Sequence, residues 1–391
     1  MSSATTAPPP PTVTDPTPAP VRGPEPGPSR ARPLRVLIGL VGMVLIVWFV
    51  ANLFLGFAFY PEWFFDNKIF IGALALVAGV GGAAGLFYFL NMFVEGLPRR
   101  LSEGLIPYAF LLPSVAFIGL MLIYPTIQTI NYSFANADST AYVGFANYRS
   151  IFSDSQFWQS IINNILWIIV VPAVTVVFGV VVAVLADKLT ARGEKLSKSF
   201  IFLPMAISFV GASAIWGLIY AYDNPGSPQT GLLNAIWVTL GGEPQTWLNI
   251  PTARLNSFLM MVILIWLQVG FAMILLSSAI KGVPEDTIEA ARIDGASEVQ
   301  IFFKVVIPQI KGTIITVFIT VLILVLKVFD IVYVMTNGRF NTDVIANRFF
   351  NELFANSQAG RATAIVVILL LAVIPVLIYQ VRHFRAEEAN R

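Results

Sequence analysis

Eight long apolar stretches run through this chain and leave few folds open to it. The hydrocarbon core of a bilayer needs about 20 apolar residues per helical crossing. The stretches are Leu34–Phe59, Ile69–Phe93, Leu105–Ile130, Ile161–Ala186, Phe200–Tyr222, Phe258–Ile280, Ile314–Met335 and Ala362–Val381. They are continuously apolar rather than alternating, which fits membrane-spanning helices and not barrel strands. Only 12% of the 391 residues are charged, against about 25% in a soluble domain. Such a chain cannot cover a water-facing surface, so lipid is the expected solvent. The expected fold is all-α: a polytopic membrane protein with eight transmembrane helices. The seventh stretch is the least regular, because it contains Lys327 and Asp330.

The basic residues orient the spans. Of 24 Lys and Arg, 17 fall on one side of the spans, 6 on the other, and Lys327 lies within one. The basic side belongs in the cytoplasm, which puts both termini there. An odd number of spans would scramble this asymmetry. The expected setting is the cell membrane of a bacterium or archaeon, with lipid as a constant partner. A net charge of +2 gives no footprint for nucleic acid.

Residues 1–33 hold 11 of the chain's 25 prolines and almost no large apolar side chains. Such a segment cannot bury enough surface to offset its ordering entropy, so a disordered cytoplasmic tail is expected. It does not read as a signal peptide, whose apolar stretch would be shorter and nearer the start. The chain has no cysteine, which excludes disulfides, thiolate metal sites and thiol nucleophiles. The single histidine, His383, lies in the basic C-terminal end and reads as a solvated residue. No metal cluster, cofactor motif or catalytic constellation appears. No Gly-x-x-x-x-Gly-Lys-Ser/Thr loop occurs to cradle nucleotide phosphates. Energy for any active transport must therefore come from another subunit.

The segment between the sixth and seventh spans, KGVPEDTIEAARIDGASEVQIFFKVVIPQI over 281–310, reads as two short helices on the basic side. Pro284 suits a first helical turn, and Glu285 and Asp286 complement the positive helix end. Gly295 can take the left-handed conformation that stops that helix. Ser297 with Gln300 has the spacing of a capping box, and Pro308 marks the start of the seventh span. Taken alone, this is an amphipathic loop in which Glu289 can pair with Arg292 at i,i+3.

The same residues carry a resemblance. Glu289, Ala290, Ala291, Gly295, Val305, Ile307 and Pro308 match the spacing of the EAA loop of binding-protein-dependent ATP-binding-cassette importers. The fold implied is that of a type I ABC importer permease. In that family the loop inserts a short coupling helix into a cleft on the ATPase, so the resemblance implies ATPase-coupling roles for Glu289, Ala290, Ala291, Asp294, Gly295 and Pro308. The stretches VGFANYRSIFSDSQFWQSIINN (143–164) and LKVFDIVYVMTNGRFNTDVIANRFF (326–350) are similar to segments of sugar permeases. Together the resemblance covers roughly residues 105–385, in the maltose-transporter first-permease class. The wording around Leu326 to Gly338 most resembles permeases for α-glucosides and osmolyte sugars. It implies two extra N-terminal spans over 34–104 and a six-span core over 105–391. The partners implied are a second six-span permease, two ATPase subunits and an extracellular sugar-binding protein. The folded extracellular domain of the maltose permease is absent, since only the stretch around Asp66 separates the first two spans.

Polar residues inside a membrane bundle are costly and mark candidate paths. Here they are Asn163, Asn164, Ser208, Ser213, Gln268, Ser277, Ser278, Lys327 and Asp330. Trp266, Gln268 and Phe271 offer the aromatic faces and amide that sugars need. Counted back from Glu289, Leu267, Gln268 and Phe271 match sugar-contacting positions of the maltose permease, where Gly and Tyr stand in place of Gln268 and Phe271. Trp266 and Phe271 are equally explained by span packing. Lys327 and Asp330, three apart, could neutralise each other or line the path. Two rival classes remain at this point. A self-powered secondary transporter needs mid-membrane acids or histidines and broken helices. The other is a non-transport membrane scaffold or an integral enzyme, for which the chain lacks any cluster to do chemistry. An ABC permease for a solute other than sugar is also compatible with the loop.

Overall fold

A computed structural model describes residues 32–65 and 67–389. The Pro-rich stretch over 1–31, Asp66 and the side chain of His383 lie outside the described residues. Two units divide at residue 124.

In the first unit, α1 (Pro33–Phe59) and α2 (Lys68–Gly96) form a helical hairpin across a short turn at Pro61–Phe64. Pro33 opens α1, where its missing N–H costs nothing. The Asn67 side chain caps α2 by accepting from the backbone N–H of Ile69 and Phe70. Small residues let the two backbones approach. A Cβ at Gly39 would lie 2.6 Å from the Phe93 nitrogen, and one at Gly42 would fall inside the Phe89 ring. This is how helices associate where lipid removes the hydrophobic drive. Next, α3 (Arg99–Ile118) runs through a wide i→i+5 turn at Gly119–Ile123 into α4 (Tyr124–Tyr132). Pro125 follows that turn. In a regular helix its ring would meet the carbonyl of residue 121, and the wide turn removes the clash.

The second unit continues with α5 (Ala146–Phe152), α6 (Ser155–Asp187), α7 (Ala191–Phe202), α8 (Phe209–Ile219), α9 (Leu232–Thr239) and α10 (Leu255–Lys281). Then come α11 (Glu285–Ile293), α12 (Glu298–Ile301), α13 (Ile307–Gln309), α14 (Lys311–Leu326), α15 (Asp330–Met335), α16 (Ile345–Phe350) and α17 (Ala359–Ala389). The central helix is α10, with 56% of its most apolar window buried against none for α2. It packs on α6 and α14 through Trp167, Val171, Met260, Leu264, Leu267 and Val325 at one end. Toward the basic end Val176, Ala183, Ala272, Met273, Leu276 and Val317 form a second core. There α6 touches α10 at Gly179, where a Cβ would lie 2.6 Å from that of Ala272. No β-strand occurs among the described residues, only an isolated bridge between Ala135 and Tyr142.

Six helices are long and apolar enough to cross a bilayer, and eight crossings result if each of two bent pairs is one span. Both bent pairs correct the expected boundaries. The fifth stretch is not one rod: α7, extended by a turn at Leu203–Ala206, meets α8 at 105°. Ser208, expected among path residues, instead caps α8 by accepting from the Gly211 N–H at 3.1 Å. The helix pair of the seventh stretch starts earlier in the chain than expected, at Glu298, bends by 69° at Ile310, and ends at Leu326. It does not continue to Met335. The backbone unwinds at Lys327 (φ −111°, ψ 24°) and Phe329 (φ −144°, ψ −60°) before α15 restarts at Asp330. Neither Pro nor Gly stands at the break. It is set by burial of Val328, Ile331 and Val332 in the core, a tertiary demand that local sequence does not display.

Candidate functional site

The 281–310 loop folds as its residues dictate. Pro284 occupies the N-cap of α11, one position before the first turn it was expected to fill, and Glu285 and Asp286 follow in that turn. At the other end Asp294 is the C-cap and Gly295 takes φ +80°. The Gly295 N–H donates to the Arg292 carbonyl and the Ala296 N–H to that of Ala291, both at 3.0 Å. This pair of bonds is a Schellman motif, and it needs a residue at ease with positive φ. Ser297 and Gln300 then make the expected capping box, which starts α12. A wide turn at Phe302–Val306 follows, and Pro308 sits just beyond it, as Pro125 does beyond its own.

The side chains of this loop are displayed rather than spent. Arg292 does not pair with Glu289: its Nε lies 2.9 Å from Glu298 Oε1, tying α11 to α12. Hydrogen bonding from Arg292 holds the Glu298 carboxyl below the ordinary glutamate range. Glu289, Ala290, Asp294 and Gly295 are exposed, Ala291 is half-buried, and Pro308 is exposed. Glu289 makes no ion pair or hydrogen bond with a described residue. The result is a short helix, fixed at both ends, with a free carboxylate beside two small side chains.

The break in the seventh span opens a cavity of about 300 Å³ lined by Phe209, Leu264, Leu324, Lys327, Phe329 and Asp330. Lys327 and Asp330 do not pair with each other, nor with any other described residue. Lys327 is exposed and Asp330 half-buried, and two unpaired charges at a break between apolar helices mark a candidate site. Leu264, Gln268 and Phe271 share one face of α10 at helical spacing, so Gln268 and Phe271 follow the cavity toward the basic end. Gln268 is only 5% exposed, and its amide finds no hydrogen-bond partner among the described residues. Leu267 is buried in the core. Trp266 points elsewhere: it meets Trp216 edge-on at 5.9 Å and lines a separate apolar groove of about 510 Å³ with Phe178, Phe200 and Pro204.

Several expected path residues are structural. Asn163 donates to the carbonyls of Asn341 and Asp343, each at 2.7 Å, and accepts from Arg254. Asn164 accepts from the Ile345 N–H at 2.8 Å. Ser213 donates back to the Phe209 carbonyl within its helix. Asn163 and Asn164 hold the end of the loop over 336–344, in which Asn337, Gly338, Phe340 and Asn341 all take positive φ. Arg254 and Ala253 also have positive φ, a strained turn held by the Arg254 guanidinium on Asn163 and Gln159. Asp154 bridges Arg348 and Arg361, joining α6, α16 and α17 at this same end. The 143–164 motif is likewise a brace: Asn147 donates to the Ser133 and Ala135 carbonyls, and the Tyr148 hydroxyl meets Ser133 at 2.6 Å. The bonds of Asp154, Asn163 and Asn164 to the 341–361 stretch could not be read from the sequence, because the partners lie 178 residues or more apart.

A bundle of apolar helices with a broken span, a largely apolar cavity holding Lys327 and Asp330 at the break and a presented helix at the basic end fits a membrane permease. The chain belongs to the binding-protein-dependent transport system inner membrane component family, whose model matches residues 176–386. It is a multi-pass inner-membrane protein and an ABC transporter permease. It is 44% identical to the alpha-glucoside transport system permease protein AglF of Rhizobium meliloti (strain 1021), over 83% of this chain and 99% of that one. It is 47% identical to the osmoprotective compounds uptake permease protein GgtC of Synechocystis sp. (strain ATCC 27184 / PCC 6803 / Kazusa), over 72% of this chain and all of that one. The fold is shared with a chain of the bacterial alginate ABC transporter in complex with alginate pentasaccharide-bound periplasmic protein, with a TM-score of 0.61 at 21% identity. That match covers 72% of this chain and 94% of the other. The sugar-permease resemblance read from the sequence agrees with these relatives.

Proposed function

We propose that this chain is one of two permeases in an ATP-driven importer of α-glucosides or related osmolyte sugars. A soluble binding protein delivers the sugar from outside, and two separate ATPase subunits supply the stroke. The observation that carries this reading is α11: an exposed helix with an unpaired Glu289 beside Ala290 and Ala291, anchored by a Schellman turn on one side and a capping box on the other. Small side chains let such a helix sit deep in a protein groove, and Glu289 supplies a charge-assisted hydrogen bond to a basic group there. On this reading the basic ends of the spans face the cytoplasm, as the charge asymmetry favours. The core over 105–391 forms half of the translocation path, and the hairpin over 34–104 is an addition to it.

The sugar passes the cavity at the broken span. Asp330 and Lys327 there offer an acceptor and a donor to hydroxyl groups, and Phe209 and Phe329 offer apolar faces. The choice of α-glucoside or osmolyte substrates rests on the relatives AglF and GgtC. The deciding experiment is reconstitution in liposomes with co-purified partners. ATP-dependent uptake that requires a binding protein and an α-glucoside or osmoprotective solute supports the proposal. Uptake by the chain alone, driven by an ion gradient, overturns it.

A further inference from the structure

The basic end carries a cluster of charges that the loop and the cavity do not use. Asp187 is the last residue of α6, Glu194 and Lys198 lie on α7, and Ser277 and Lys281 close α10. Lys198 Nζ lies 2.7 Å from Asp187 Oδ1 and 2.6 Å from Glu194 Oε1, and it also donates to Ser277 Oγ. Ser277 Oγ donates to Asp187 Oδ1 at 2.8 Å. Lys281 Nζ contacts Glu194 Oε1 and lies 3.6 Å from Asp187 Oδ1. Two carboxylates and two ammonium groups thus balance, with a buried hydroxyl between them, across three helices.

Helix stability does not explain this cluster. Asp187 stands at the negative end of α6, where the macrodipole disfavours a carboxylate. Ser277 is buried on α10, and its hydroxyl serves Asp187 and Lys198 on the other two helices. The position relative to the loop is the informative point. Lys281 is the last residue before Gly282, and α11 begins at Glu285. At this end the loop is joined to α6 and α7 by the contacts of Lys281 with Asp187 and Glu194. A push on α11 reaches α10 through the peptide chain. It reaches α6 and α7 only through side chains, because no covalent path from α11 to them is short.

We propose that Asp187, Glu194, Lys198, Ser277 and Lys281 are positioning residues that make α6, α7 and α10 move as one body with α11. This inference rests on the ATPase-coupling reading above. Its prediction is specific: weakening the cluster separates ATP hydrolysis from import instead of lowering both. The cluster's tight, mutually hydrogen-bonded geometry makes each member sensitive to loss of another.

The test uses the whole transporter, assembled and reconstituted, with ATP hydrolysed per sugar imported as the readout. Glu194→Gln, Lys281→Met and Ser277→Ala are each expected to raise that ratio about fivefold or more, with assembly intact by size-exclusion chromatography. The chain has no cysteine, so Glu194→Cys with Lys281→Cys can be bridged by a short bis-methanethiosulfonate, which forms one disulfide with each thiol and releases a methanesulfinate at each. Bridging is expected to return the ratio to that of the unaltered transporter. An unchanged ratio in the variants overturns the inference, as does failure of the bridge to restore coupling. Failure of all three variants to assemble also overturns it, because the cluster would then serve folding alone. If the unaltered chain shows no ATP-dependent uptake, the coupling reading itself is what fails.

Discussion

Arg292 reaches past Glu289 and binds Glu298, with Nε 2.9 Å from Oε1. That choice leaves Glu289 exposed and unpaired. A surface residue with no partner contributes little to stability, within about 0.5 kcal/mol on substitution. A charge-assisted hydrogen bond to a partner is worth about 1.5–3 kcal/mol, or roughly ten- to a hundredfold in an equilibrium. Glu289→Ala is therefore expected to leave the melting temperature unchanged and to cut ATP-dependent uptake at least tenfold. A melting temperature that falls along with uptake would show Glu289 to be structural.

The Arg292–Glu298 pair sets a pH dependence. Hydrogen bonding from Arg292 lowers the Glu298 pKa relative to the unfolded chain. The stabilisation it gives is complete above the unfolded-state value and is lost as pH falls through the folded-state value. The α11–α12 hairpin is thus expected to stay closed at neutral pH and to open only below the ordinary glutamate range. Spin labels at Ile293→Cys and Val299→Cys report this as a broadened distance distribution at low pH. Opening that sets in above that range would contradict the assignment.

Gly295 and Gly338 separate two costs of substitution. Gly295 has φ +80° and open space where a Cβ would stand, so Gly295→Ala meets backbone strain alone, about 1–2 kcal/mol. Gly338 has φ +77°, and a Cβ there would lie 2.6 Å from Asp343 Oδ1 and 2.8 Å from Asn347 Nδ2. Gly338→Ala is expected to destabilise more than Gly295→Ala in thermal unfolding. Uptake is expected to fall in both, with Gly295→Ala acting through the α11 turn and Gly338→Ala through the loop over 336–344.

Lys327 and Asp330 line one cavity without pairing. If each meets substrate on its own, Lys327→Gln and Asp330→Asn each raise the KM for sugar several-fold. Exchanging the two charges is then not expected to restore it. Gln268→Ala, on the same path, is expected to lower uptake while assembly stays intact. Restoration by the exchanged pair would show that they act as an ion pair in transport.

The sequence made the local features legible and the distant ones not. Gly295, Ser297 and Gln300 act through neighbours within a few residues, so the loop fold could be read from spacing. The eight stretches likewise follow from hydropathy, and the charge asymmetry from counting. The break at Lys327–Phe329 carries no Gly or Pro, since Val328, Ile331 and Val332 are drawn into a core built by α6 and α10. Asn163 and Asn164 carried the signature of a path but are consumed by the carbonyls of Asn341 and Asp343 and the N–H of Ile345. The grouping of Trp266 with Gln268 failed for a simpler reason: adjacent helical positions about 200° apart in two steps face different neighbours. Of the Lys198 cluster only the Glu194–Lys198 pair, four apart on α7, has a spacing that sequence displays; Asp187, Ser277 and Lys281 come from other helices.

The interlock of Gly39 and Gly42 with Phe93 and Phe89 uses no residue beyond Gly96. The hairpin can therefore close as soon as its two helices have left the ribosome and entered the bilayer, while the helices after it are still being synthesised. It gives the nascent chain a membrane anchor that is complete before α3 needs a place to insert.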